Sequence, residues 1–156
     1  MNYLLSFLIW FPIAGGILLL LIGDDGDVKS ARAGLMRLAA LAFTALTFLA
    51  SVGLYLGFNN AEPGMQFVER VPWVDTFNVW YYLGVDGLSA PLILLTTFIT
   101  PLVVIAGWDT IKTRPAQYYA AFLILEGLMI GVFSALDGLL FYVFWEAMLI
   151  PMFLII

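Results

Sequence analysis

The chain has 156 residues, of which 63% are hydrophobic and only 11% are charged, and its formal net charge is −5. Soluble domains carry roughly 25% charged residues, and a soluble protein of this size could not keep so much apolar surface away from water, so the composition predicts a membrane protein. The sequence contains neither cysteine nor histidine, which removes the usual ligands of iron–sulfur clusters, haem and structural zinc, and no basic patch indicates nucleic-acid binding.

Five apolar stretches are each long enough to cross a bilayer, since about 20 helical residues span the hydrocarbon core. The first, residues 3–22, lacks the basic start and the small-residue cleavage site of a secretory signal, so we interpret it as a retained helix. Because backbone groups in lipid must satisfy each other, all five stretches are predicted to be helices. The chain is therefore expected to be an all-α membrane protein with one membrane domain over residues 1–156, and its other helices are predicted at 34–57, 86–107, 116–135 and 138–156.

The basic residues predict the orientation of the chain. With five crossings, the 23–33 and 108–115 loops share one side of the membrane, and the other side has a single basic residue, Arg70. The positive-inside rule then places the N-terminus and the 58–85 loop outside. The side predicted to face inward holds five basic residues: Lys29, Arg32, Arg37, Lys112 and Arg114.

The loop at residues 58–85 is the sizeable polar segment of the sequence. It is rich in tryptophan and tyrosine, which favour the membrane interface, and residues 67–71 are predicted to form a short strand of a hairpin. The sequence stops at Ile156 inside an apolar stretch with no polar flank. We therefore expect the chain to be a fragment of a longer protein.

Two carboxylates lie inside predicted helices and are the candidate functional residues, because ionisable groups in a membrane are costly to bury. Glu126 and Glu146 each lie ten positions from the turn centred on Leu136. At about 1.5 Å per residue both are roughly 15 Å from the outer surface, near the midplane. Two carboxylates at one depth on adjacent helices can approach each other, and their repulsion would then favour proton uptake by one of them.

Other interpretations of the acidic residues stay open at this stage. Each membrane glutamate could instead be a neutral group that hydrogen-bonds between helices. Pro151 favours a relay role for Glu146, because proline frees the carbonyl of Ala147 to bind water or to relay a proton. Asp86 and Asp137 are predicted to cap the helices that follow them, and the acidic residues of the first loop are expected to be solvated, namely Asp24, Asp25 and Asp27.

Two motifs carry a resemblance to a known family. Residues 84–89 (GVDGLS) with Pro91-Leu92 and Leu95-Thr96, and residues 141–152 (FYVFWEAMLIPM), are similar to the third-helix and fifth-helix signatures of antiporter-like membrane subunits. The sequence most resembles the subunit M family of respiratory complex I, the proton-translocating NADH:quinone oxidoreductase. The resemblance implies a fold of about fourteen helices, of which this chain covers the first five.

The resemblance also implies a function. Glu146 matches the family's fifth-helix glutamate, which pairs with a lysine on a later helix beyond Ile156; Glu126 lies outside the core motif and is a further candidate relay residue. The expected role is proton translocation coupled to quinone reduction in the bacterial inner membrane or the mitochondrial inner membrane. The expected partners are lipid and the other membrane subunits, especially the neighbouring antiporter-like ones. FMN, iron–sulfur clusters and quinone are expected in other subunits, with no redox chemistry and no metal in this chain.

Two other functions fit the same residues. The D subunit of a multi-subunit cation/proton antiporter of the Mrp type shares these signatures, and a preparation of that antiporter would lack flavin and iron–sulfur absorbance. A membrane scaffold subunit would need Glu146 for assembly and not for turnover. Both alternatives share the predicted all-α membrane architecture.

Overall fold

The computed structural model describes residues 3–27 and 29–156, and within these residues the chain forms five α-helices and one antiparallel hairpin. All five helices are long and apolar enough to cross a membrane, which confirms the predicted fold class. The helices are α1 (Leu4–Ile22), α2 (Ala31–Leu56), α3 (Ser89–Ala106), α4 (Pro115–Ser134) and α5 (Gly138–Ile155), and the hairpin strands are β1 (Gln66–Val74) and β2 (Val79–Val85).

Helix α2 begins earlier than the hydropathy pattern predicts. Its first residue is Ala31, and the Ser30 side chain accepts a hydrogen bond from the Ala33 N–H at 3.1 Å. Serine is a favoured N-cap because its hydroxyl satisfies one of the free amides of the first turn, so the helix extends to the cap and not only across the apolar stretch. The predicted 23–33 loop includes Val28, which lies outside the described residues.

Helix α3 begins later than predicted, at Ser89, because β2 continues to Val85. Asp86 occupies the corner between the two elements, and its Oδ1 accepts hydrogen bonds from the N–H groups of Leu88 and Ser89 at 3.0 and 2.7 Å. The Ser89 hydroxyl in turn accepts a hydrogen bond from the Asp86 N–H at 2.9 Å. This reciprocal pair confirms the predicted capping role of Asp86 and sets the start of α3.

Helices α1 and α4 pack closely because small residues face each other. A Cβ atom added at Gly127 would collide with the Ile9 carbonyl, and one added at Gly16 would lie 2.8 Å from the Ala120 carbonyl oxygen. Glycines of this kind allow two helix backbones to approach in a membrane, where van der Waals packing drives association. The buried residues of α4 include Leu123 and Ile130, so α4 is the central helix of the described bundle.

The hairpin and the turn between α4 and α5 lie at the same end of the molecule, which we call the hairpin end. Strands β1 and β2 pair with Glu69 opposite Leu83, and Leu83 also forms a β-bridge with Ala135 on its other side. The Leu136 N–H donates to the Tyr82 carbonyl at 2.8 Å. The predicted strand at 67–71 is therefore confirmed as part of a hairpin. The partner strand, β2, is hydrogen-bonded on its other side to the turn between α4 and α5.

The opposite end of the molecule joins the first loop to the start of α4. Asp24 Oδ1 accepts a hydrogen bond from the Ala116 N–H at 2.9 Å. Asp24 is exposed, as predicted, but it also satisfies a free amide of the α4 first turn, which the sequence did not predict. Asp25 and Asp27 remain exposed, and the Ser30 hydroxyl beside Asp25 lowers the pKa of that carboxyl.

Candidate functional site

Glu146 lies in the middle of α5, on its exposed side. It lines an open surface together with four apolar residues of the same helix, namely Ala147, Leu149, Ile150 and Phe153. Few residues of α5 are buried: Leu140, Phe144 and Pro151 are the buried ones. Glu146 therefore projects away from the other described helices, and lysine is absent from all five helices, so none of them offers a lysine partner.

Glu126 has the opposite environment, since it is 1% exposed within α4. Neither of its carboxyl oxygens has a hydrogen-bond partner among the described residues. It forms part of the wall of a groove of about 240 Å³ between α3 and α4, with Thr96 and Thr100 on the α3 side. A buried carboxyl without a partner is unusual, because the desolvation of its polar atoms is left uncompensated.

The two membrane glutamates share a depth but not a site. Glu126 lies eight residues before the end of α4 at Ser134, and Glu146 lies eight residues after the start of α5 at Gly138. Both are therefore about 12 Å from the hairpin end of their helices. The structure nevertheless does not bring them together, because Glu126 borders the groove on α3 while Glu146 borders the open face of α5.

The helical rotation of α4 explains the separation. Gly131 contacts the ring of Phe144, since a Cβ atom built there would lie 2.8 Å from that ring, and it therefore marks the side of α4 that faces α5. At 3.6 residues per turn, Gly131 is rotated by about 140° from Glu126. The expected approach of the two carboxylates is thus not realised: adjacency of helices and equality of depth do not decide which way each side chain points.

Pro151 is in the interior of α5 and is buried, five residues after Glu146. Its ring nitrogen cannot donate to the Ala147 carbonyl, which lies one residue beyond Glu146. Pro151 also borders a cavity of about 560 Å³ between α1, α4 and α5 that Arg114 and Gln117 line at its polar end. The Ala147 carbonyl, which Pro151 leaves without its helical partner, thus directly follows Glu146, whose side chain is on the exposed side of α5.

A third carboxylate, Glu69 of β1, is fully buried, although nothing in the sequence pattern predicted a site there. Its Oε1 accepts a hydrogen bond from the Ser6 N–H at 3.1 Å, and its Oε2 accepts one from the Ser6 hydroxyl. The neighbouring cation does not pair with it, because the guanidinium of Arg70 lies over the Trp80 ring, 4.2 Å from the centroid. No local signal marks this contact, since Ser6 and Glu69 are 63 positions apart.

Asp137 confirms its predicted capping role and adds a second one. Its Oδ1 accepts hydrogen bonds from the N–H groups of Leu139 and Leu140 at 2.9 and 3.3 Å, and its Oδ2 accepts one from the Trp80 N–H at 3.2 Å. The Trp80 amide, followed by the amides of the α5 first turn, holds the pKa of Asp137 below its usual range. In the same way, the Ser89 amide lowers the pKa of Asp86.

Comparisons with known proteins give one consistent result. Residues 36–134 match the family model described as NADH-ubiquinone oxidoreductase chain 4, amino terminus. The chain is 46% identical over its full length to NADH-quinone oxidoreductase subunit M of Rhodobacter capsulatus, and 44% identical over 97% of its length to NADH-ubiquinone oxidoreductase chain 4 of Arabidopsis thaliana. It spans 30% of the length of each of these relatives.

A solved structure is also similar. The chain aligns with a chain of respiratory complex I from Thermus thermophilus with bound NADH, with a TM-score of 0.74 and 30% sequence identity. The alignment covers 94% of this chain and 27% of that one. The five helices and the hairpin therefore correspond to part of a longer membrane subunit.

Proposed function

Since the chain belongs to the NADH-ubiquinone oxidoreductase chain 4 family, as the match over residues 36–134 shows, we propose that it is the amino-terminal part of a proton-translocating membrane subunit. In this proposal the subunit works within a larger enzyme complex that oxidises NADH and reduces quinone. Glu146 takes up and releases the proton. Relatives named as subunits of NADH-quinone and NADH-ubiquinone oxidoreductases support this function over an Mrp-type antiporter or a scaffold.

The position of Glu146 is the observation that carries the proposal. An isolated carboxylate in hydrocarbon is unfavourable, so its charged form needs a cation or water close to it, whereas its neutral form tolerates an apolar surrounding. Glu146 is exposed on the open side of α5 among apolar residues. A cationic group that moves toward or away from this face would therefore change the protonation state of Glu146, which couples movement to proton transfer.

The remaining parts of the proposal follow the family and the composition. Iron–sulfur clusters are assigned to other subunits because this sequence has no cysteine or histidine to ligate them, and FMN and quinone are assigned there from the family resemblance. The partners are neighbouring membrane subunits, including other antiporter-like ones, and lipid. The complex lies in a bacterial plasma membrane or a mitochondrial inner membrane, with the hairpin end outside as the basic residues predict.

The direct test is the Glu146→Gln substitution in the intact complex reconstituted in vesicles. Glutamine keeps the size of the side chain but cannot release a proton, so we expect fewer protons translocated per NADH oxidised in the assembled complex. Glu62→Gln is the matched control, since Glu62 is exposed outside the helices, and it should leave the ratio unchanged. An unchanged ratio in Glu146→Gln would exclude the relay role.

Glu126 has a weaker claim to a relay role and is tested in the same assay. Its carboxyl is buried and unpartnered among the described residues, and the groove beside it is lined by two threonines of α3. If it belongs to the relay, Glu126→Gln should also lower the number of protons translocated per NADH. If it is only a hydrogen-bonding group, the amide should replace the carboxyl with no change in that ratio.

A further inference from the structure

Glu69 joins the hairpin to the first helix without the help of a cation. Its carboxylate is fully buried and binds both the amide and the hydroxyl of Ser6. Ser6 lies in the first turn of α1, where amides lack partners within the helix. The positive end of the helix dipole also favours a carboxylate at this place. The contact therefore attaches β1 to α1 through a buried carboxyl group.

The side chain of Tyr81 extends this contact on the second strand. The hydroxyl groups of Ser6 and Tyr81 are 2.9 Å apart, and the Tyr81 hydroxyl accepts a hydrogen bond from Trp10 Nε1 at 3.0 Å. Burial raises the pKa of Tyr81 above its ordinary value, so the phenol stays protonated at neutral pH. Both strands are thus bound to α1 by side chains, which we call the α1 clasp: Ser6, Trp10, Glu69 and Tyr81.

The other edge of the same hairpin holds the start of α5. Leu83 pairs with Glu69 on one side and bridges to Ala135 on the other. The Leu136 amide binds the Tyr82 carbonyl at 2.8 Å. Asp137 accepts the Trp80 amide and caps α5 with the same carboxylate. The hairpin therefore lies between α1 and the α4–α5 turn and is hydrogen-bonded to both.

Helix α5 is the least buried of the five helices within the described residues. Only 17% of its apolar span is buried within the described residues, against 56% for α4. Two of its three buried residues, Leu140 and Phe144, lie in the half that begins at the turn. Because an α-helix moves as a stiff element over a few turns, a shift of the first turn at Gly138 displaces Glu146, about two turns further on.

We propose that the α1 clasp sets the position of Glu146, so that Glu69 and Ser6 are positioning residues for the proton relay. The inference rests on the proposed function insofar as Glu146 carries the proton. Glu69 itself does not touch the transferred proton; it fixes the hairpin on α1, and the hairpin fixes the outer turn of α5. Loss of the clasp should therefore misplace Glu146 in a complex that still assembles.

The test uses the intact complex that contains the full-length subunit, with the substitutions Glu69→Leu, Glu69→Gln and Ser6→Ala. Leucine removes both acceptor oxygens, whereas glutamine keeps one oxygen that can accept the Ser6 amide. Glu62→Leu is the control for loss of a carboxylate that is exposed. We expect the protons translocated per NADH, counted per assembled complex, to fall most for Glu69→Leu, less for Ser6→Ala and least for Glu69→Gln.

The number of protons translocated per NADH distinguishes an effect on assembly from an effect on the position of Glu146. If Glu69→Leu only reduces the amount of complex, and the assembled remainder keeps the wild-type ratio, the clasp is a folding contact and the proposal is wrong. Should Glu69→Leu fail to assemble at all, Ser6→Ala decides in the same way, because it removes one hydroxyl while the Ser6 amide stays in place.

An electron-microscopic structure of the Ser6→Ala complex distinguishes this proposal from the proposed function. We expect α5 to be displaced relative to α4 at the level of Glu146. An unchanged α5 would overturn the positioning role even if Glu146 is the relay. If Glu146→Gln leaves proton translocation intact, the proposed function fails, and the displacement of α5 alone then decides whether the clasp positions this helix.

Discussion

Carboxylates at the hairpin end and carboxylates in the membrane interior have opposite hydrogen-bonding environments. At the hairpin end, Glu69, Asp86 and Asp137 each accept at least two hydrogen bonds from described residues. In the interior, Glu126 has no partner among the described residues and Glu146 lies exposed among apolar side chains. A carboxylate whose oxygens all accept hydrogen bonds stabilises the fold. One without such partners is free to change its protonation state or to bind another group.

The largest expected effect comes from removing the Glu69 carboxylate. Glu69→Leu removes the acceptor of the partly buried Ser6 amide and one of the two partners of the Ser6 hydroxyl, which should cost about 2 to 3 kcal/mol, since hydrogen bonds to charged groups contribute more than neutral ones. The measurement is equilibrium unfolding of the full-length subunit in mixed micelles. Glu62→Leu on the exposed loop should change the free energy of unfolding by less than about 0.5 kcal/mol. Equal changes in the free energy of unfolding for Glu69→Leu and Glu62→Leu would show that the hydrogen bonds of Glu69 do not stabilise the fold.

Replacing the interior Glu126 by leucine should stabilise the fold, in contrast to the same substitution at Glu69. Glu126→Leu replaces an unpartnered carboxyl by an apolar side chain of similar size, so we expect the free energy of unfolding to rise by about 1 to 2 kcal/mol. The measurement is again unfolding in mixed micelles. A loss of stability instead would reveal that Glu126 has a hydrogen-bond partner outside the described residues, which would place it among the satisfied carboxylates.

A smaller effect is expected at the α3 cap, and it should depend on pH. Asp86→Ala removes the acceptor of the Leu88 and Ser89 amides and should cost about 1 kcal/mol at neutral pH. Because the pKa of Asp86 is lowered in the folded chain, its stabilisation is complete above the unfolded value near 3.8 and is lost as the pH falls through the folded pKa. The difference between wild type and variant should therefore disappear in strong acid, and a difference that persists there would contradict the charged cap.

The smallest effect is expected from Tyr81→Phe, which removes one hydroxyl from the α1 clasp. Ser6 still reaches Glu69, but Trp10 loses its acceptor, so the cost should be below about 1 kcal/mol. Tyr82→Phe is the matched control on the next residue of β2, since its side-chain contact is with the Arg70 guanidinium, 5.3 Å from the ring centroid. Because phenylalanine keeps the ring that Arg70 contacts, Tyr82→Phe removes only a hydroxyl, and an equal loss in the two variants would show that the effect is not specific to the clasp.

Local patterns in the sequence predicted most of the architecture. Apolar length predicted the five helices, and the polar segment between α2 and α3 was correctly interpreted as containing a strand. Capping by Asp86 and Asp137 was predictable because a cap acts on amides two or three residues away. The same reasoning missed Ser30 as the start of α2 and Asp24 as the acceptor of the Ala116 amide, since the first was obscured by the apolar boundary and the second joins residues 92 positions apart.

What the sequence alone determined is therefore that the composition suits a membrane, the number and approximate positions of the helices, and the equal spacing of Glu126 and Glu146 from the turn between α4 and α5. All of these depend on composition and on spacing along one segment. Only the tertiary structure decided that Glu126 faces α3, that Glu146 faces outward, and that Glu69 is buried against Ser6. These facts depend on the rotation of packed helices and on contacts between distant segments, and the Gly127 and Gly131 contacts that fix the rotation of α4 are visible only once the helices are in place.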